Sequence, residues 1–130
     1  MKLGVIIDRI NYYRYLGPIV EAALGRGWEV ICWHFEGGPQ QGGKANQRPS
    51  ANPAPTYLSG RPRIVDFFDF QELSGLTSGV EATVTLLGPL AYGIEPRSKW
   101  GTIQHGFDSF QSGWEHLLSA DLNFIYSDYW

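Results

Sequence analysis

The sequence predicts an α/β protein with a Rossmann-like open, mostly parallel sheet of about six strands flanked by helices. Three observations predict it. Leu3 to Ile7 is an unbroken apolar, β-branched run, the pattern of a strand covered on both faces. Strand-like and helix-like stretches then alternate along the chain. Finally, Gly88-Pro89 and Gln104-His105-Gly106 close two of the runs with the sharp turns expected at the carboxyl rim of an open sheet.

After the first strand, Leu16, Ile19, Val20, Ala23 and Leu24 recur at helical spacing and give a helix with one apolar stripe. Pro18 suits the first turn of that helix, and Gly25 or Gly27 its stop. Glu29 to Phe35 is the second strand, so this opening stretch forms a β-α-β unit with a right-handed crossover. Residues 36–62 differ in kind. Glycine and proline recur there, large apolar residues are scarce, and loops of this length tend to be functional or mobile. Ile64 to Phe68 is the third strand, and Asp69 with Glu72 has capping-box spacing for a short helix ending by Gly79. Ala82 to Leu87 and Trp100 to Gln104 are strands four and five. Ser112 with Glu115 is a second capping box, opening a short helix through Leu118, and Leu122 to Tyr126 is the sixth strand. Ser127-Asp128-Tyr129-Trp130 begins another element. The pattern reads as one domain over residues 1–130 that forms half of a larger enzyme.

Composition excludes several function classes. With 43% hydrophobic and 18% charged residues the chain is a folded globular protein rather than a disordered one. Its 130 residues suffice for one core but are few for a complete two-substrate enzyme. A net charge of −3 argues against a general nucleic-acid binder, which would carry a basic stripe. Cys32 is the only cysteine, so an internal disulfide is ruled out and a reducing compartment fits. The first apolar run ends at Asp8-Arg9 without a cleavage site, and nothing approaches the roughly 20 apolar residues of a membrane span. The expected location is the cytoplasm; contact with the inner face of a membrane, and self-association, stay compatible with this pattern.

In such sheets ligands sit beyond the carboxyl ends of the strands. The positions so placed are Asp8 and Arg9, then His34, Asp66 and Asp69, then Gly88, Pro89 and Tyr92, then His105 and Gly106, and last Ser127. The turn after the first strand lacks the G-x-G-x-x-G pattern that lets backbone N–H groups grip a pyrophosphate. It carries Tyr12, Tyr13 and Tyr15 with Arg9 and Arg14 instead, side chains suited to a sugar ring or an anionic acceptor. The plainer reading packs two of the tyrosines over the sheet edge. His105 is the leading catalytic candidate, because an imidazole with a pKa near 6.5 can take a proton from an attacking hydroxyl, and Gly106 leaves room for a ligand against the ring. Its alternative is a turn histidine that satisfies backbone groups. Asp8 is a second candidate, as base or as orienter of substrate, against a structural turn role. His34, between Trp33 and Phe35, reads as structural. Metal-ligand spacing is absent, with no cysteine pair and no His-x-x-x-His, and no G-x-S-x-G elbow supports acyl transfer.

Val5-Ile-Ile-Asp8, Gly25-Arg-Gly-Trp-Glu-Val30 and Gln104-His105-Gly106 together make the chain resemble the N-terminal half of a GT-B glycosyltransferase. The His-Gly turn is most similar to the CDP-glycerol glycerophosphotransferase and capsule-polysaccharide transferase group. The resemblance implies a two-domain enzyme whose N-terminal half binds a glycan or polyol-phosphate acceptor. It also implies a nucleotide-activated donor held by a C-terminal domain outside this chain, no cofactor within it, and His105 as base. Arg9, Tyr12, Tyr13, Arg14, Gly106 and Ser127 would line the acceptor side, and this half alone should turn over nothing. The rival expectations are a stand-alone Rossmann-like module for a nucleotide or metabolite, and a structural domain that buries its edge against a partner.

Overall fold

The computed structural model describes residues 1–37, 58, 61–103 and 115–124. Six strands make one sheet: β1 (Lys2–Ile7), β2 (Glu29–Phe35), β3 (Arg63–Phe67), β4 (Ala82–Thr85), β5 (Lys99–Ile103) and β6 (Leu122–Phe124). Their order is β3-β2-β1-β4-β5-β6, and every neighbouring pair is parallel. The chain works outward from β1 to β3, returns to the centre, and works outward again from β4. The strand order therefore reverses between β1 and β4, the place where open α/β sheets leave a crevice at their carboxyl rim.

Among the described residues, three α-helices accompany the sheet: α1 (Tyr13–Gly25), α2 (Glu72–Leu76) and α3 (Glu115–Leu118). Helix α1 begins well before Pro18, which lies inside it. A 3-10 turn over Ile10–Tyr12 leads directly into the helix, and burial of Tyr12, Tyr13 and Leu16 extends the apolar stripe ahead of the proline. Pro18 and Arg14 are exposed, so water can take the hydrogen bond that the ring withholds from the Arg14 carbonyl. The stop is where Gly27 allows it. Gly27 has φ +73°, its N–H donates to the Leu24 carbonyl at 2.9 Å, and the Trp28 N–H donates to the Ala23 carbonyl at 3.1 Å. This is a complete Schellman closure.

Alternation along the strands sorts the core into two layers. Leu3, Val5 and Ile7 of β1, Val30 and Cys32 of β2, and Val84 of β4 pack under Leu16, Val20 and Ala23 of α1. On the other face, Ile6, Ile31, Trp33, Phe67 and Trp100 pack with Leu73 of α2. Trp33 lies flat over Gly4, where an added Cβ would come within 2.3 Å of its ring. At α2 the capping box forms as the spacing predicts: the Asp69 N–H donates to Glu72 Oε1 at 3.0 Å, and the Gln71 N–H to Asp69 Oδ1 at 2.9 Å. Strand β6 is held to β5 by Asp121, which accepts from the Trp100 N–H at 2.7 Å and from Lys99 Nζ at 3.1 Å. Those two donors hold its carboxyl below the ordinary carboxylate range.

Beside α1 lies an apolar groove of about 720 Å³, walled by Tyr15, Ile19 and Ala22 on the helix and by Val84, Ile103 and Phe124 on the sheet. Among the described residues, no helix is long and apolar enough to cross a membrane.

Candidate functional site

Two turns flank the strand-order reversal between β1 and β4, the position where open α/β sheets take ligands. Strand β1 hands over to Asp8 and Arg9, and the 3-10 turn that follows brings Tyr12 back over the strand end. Strand β4 ends at Thr85, and Gly88-Pro89 opens a second 3-10 turn, Pro89–Tyr92, which Gly93 closes at φ +65°. Proline suits the first position of that turn because it needs no N–H donor there.

Between these turns sits a compact group of polar side chains. Asp8 is buried, and the Tyr12 hydroxyl donates to its Oδ2 at 3.3 Å. Burial pushes the Asp8 carboxyl above its ordinary range, opposed by the neighbouring Arg9 guanidinium and by the Tyr12 hydroxyl. Across the crevice the Thr85 and Tyr92 hydroxyls lie 3.1 Å apart. Burial raises the Tyr92 phenol well above its usual value, and the nearby Asp8 charge adds to the shift. Burial likewise raises the Tyr12 phenol. All three groups therefore favour their neutral forms. Arg9 supplies the counterweight: its Nε is buried and has no hydrogen-bond partner among the described residues.

The residues singled out by sequence scatter around this crevice in distinct ways. Asp8, Arg9 and Tyr12 come together in it. Tyr13 points elsewhere, buried in the α1 layer with its hydroxyl 2.6 Å from His34 Nε2. Arg14 is exposed, its guanidinium 6.0 Å from the centre of the Tyr15 ring. Tyr12 and Tyr13 are both buried, Tyr12 beside Asp8 and Tyr13 beside His34. His105, Gly106 and Ser127 lie outside the described residues. Strand β5 ends at Ile103, two positions before His105, on the rim next to β4.

Thr85 escaped the sequence reading, and the partnership of His34 went unread. Thr85 is an ordinary strand threonine until the topology sets it beside Ile6, with its hydroxyl donating to the Ile6 carbonyl at 3.5 Å and lying 3.1 Å from the Tyr92 hydroxyl. His34, taken as structural, is buried as that reading expects, yet it lies in register with Asp66 of β3 and beside Glu36. Nothing local could have announced that pairing, because the two strands are separated by the long Gly/Pro-rich stretch. Comparison with protein-family models, with curated proteins and with solved structures found no match.

Proposed function

We propose that this chain is the acceptor-side half of a two-domain transferase of GT-B type, which joins a nucleotide-activated sugar or polyol phosphate to a surface polymer. The acceptor would occupy the β1–β4 crevice. The observation that carries this reading is the polar cluster at the strand-order reversal, where a buried Arg9 Nε without a hydrogen-bond partner among the described residues lies beside Asp8 and no glycine-rich turn is present. A guanidinium N–H so placed can donate to a phosphate or carboxylate oxygen of an acceptor. The buried carboxyl and phenols can bond hydroxyls of a sugar or polyol. A pyrophosphate would need close backbone approach, which the Arg9 to Tyr15 turn does not offer. His105 remains the proposed base, two residues beyond the end of β5.

A thermal-shift panel with glycerol 3-phosphate, an acidic glycan fragment and free CDP tests the reading. A ligand at 100 times its Kd adds about 2.7 kcal/mol of stability, enough to move the melting temperature by several degrees. Stabilisation by glycerol 3-phosphate or the glycan fragment, lost in Arg9→Ala, is the expected result. Stabilisation by CDP alone would replace the transferase half with a nucleotide-binding module.

A further inference from the structure

A second polar cluster lies away from the crevice, at the carboxyl ends of β2 and β3 on the α1 face. His34 and Asp66 are direct register partners in the parallel pair, and Glu36 follows His34 by two residues, so all three project from the same side. The backbone ladder continues past the end of β2, with the Glu36 N–H donating to the Phe67 carbonyl at 2.8 Å, which fixes Glu36 in that row. One ligand-capable atom from each residue lies within 4.8 Å of the other two. His34 and Glu36 are buried, whereas Asp66 is exposed and opens the cluster to solvent.

We propose that His34, Glu36 and Asp66 form a binding site for a divalent transition-metal ion. One imidazole and two carboxylates are a donor set that suits Zn²⁺, Mn²⁺ or Fe²⁺. Three protein donors also leave coordination positions for water or a ligand. Tetrahedral donors about 2.0–2.2 Å from an ion stand roughly 3.3–3.6 Å apart, so the three side chains must draw together to close on it.

The surroundings of His34 support the assignment independently of the acidic pair. Its Nε2 is engaged by the Tyr13 hydroxyl at 2.6 Å, which leaves Nδ1 as the ring nitrogen available to a ligand. Outer-sphere bonds of this kind orient ligating histidines and fix their tautomer. The Tyr13 hydroxyl has the Cys32 thiol as a second neighbour, so it can donate to sulfur while accepting from Nε2–H. Among the described residues, no hydrogen bond or ion pair holds the Asp66 carboxylate.

The test uses the full chain, stripped with chelator and titrated with Co²⁺. One equivalent should give visible d–d absorption without a thiolate charge-transfer band, bleached by added Zn²⁺. Asp66→Asn, an exposed change that spares the core, should weaken Co²⁺ binding tenfold or more. Tyr13→Phe should weaken it by roughly tenfold through loss of ring orientation. The ¹⁵N resonances of the His34 ring should move on adding Zn²⁺. Equal affinity in wild type and Asp66→Asn, or shifts confined to His105 and His116, would overturn the site. So would the absence of a one-equivalent Co²⁺ complex.

Discussion

Asp8 carries the sharpest tension at the level of single residues. A carboxyl held above its ordinary range by burial opposes folding wherever it must ionise. Below its usual pKa near 3.8, folded and unfolded chains both hold the proton and Asp8 has no effect. As pH rises, the unfolded chain releases its proton first, and stability falls until the folded carboxyl ionises as well. Asp8→Asn removes the charge and still accepts from the Tyr12 hydroxyl. This variant should melt at a higher temperature than wild type at pH 7, with the gap closing below about pH 4. Equal melting curves at pH 7 would mean that the carboxylate is better solvated than its burial implies. Residues that destabilise a fold in this way are those a site retains for use. Cys32 is the opposite case: burial pushes its thiol up to about 12, so it serves as packing and not as a nucleophile.

Strands and helices were legible to different depths. The six strands stand where unbroken apolar runs, glycine and proline put them; the expected ends of the fifth and sixth, at Gln104 and Tyr126, lie outside the described residues. The Asp69–Glu72 box was readable because it is local, four consecutive positions with one geometry. The start of α1 was not. Pro18 looks like a first-turn proline, and the extra turn ahead of it exists because Tyr12 and Tyr13 are buried against the sheet, a tertiary fact. The same limit applies to Gly4, which looks like an indifferent residue in a strand until Trp33 of the neighbouring strand lies on it. Gly4→Ala should therefore cost about 1–3 kcal/mol in urea unfolding, the usual penalty for overpacking. A change below a few tenths would show that the indole can slide aside.

For the molecule as a whole, alternation of strands and helices carried the parallel sheet, and the observed strand order follows the rule for doubly wound folds. What alternation leaves out is adjacency across the sheet. Ile6 with Thr85, and His34 with Asp66, became neighbours only once the order β3-β2-β1-β4-β5-β6 was known. The proposed base at His105 was legible as a motif alone. The apolar groove beside α1 was not legible either, since its walls come from α1 and from β4, β5 and β6, which only the fold brings together. A groove of that size should bind an apolar reporter dye in the native state, with fluorescence that Ala22→Glu suppresses while the melting temperature stays within a few degrees. Unchanged dye signal in that variant would place the exposed apolar surface elsewhere.

Two consecutive residues serve two separate places on the sheet: Tyr12 reaches Asp8, and Tyr13 reaches His34. Neighbouring side chains in a helical turn diverge by about 100°, so the pair acts as a yoke whose arms point into different chambers. Rotation of this one turn, by a ligand or by an inserted residue, must disturb both arms together. Evolution could not retune either chamber through this segment without consulting the other.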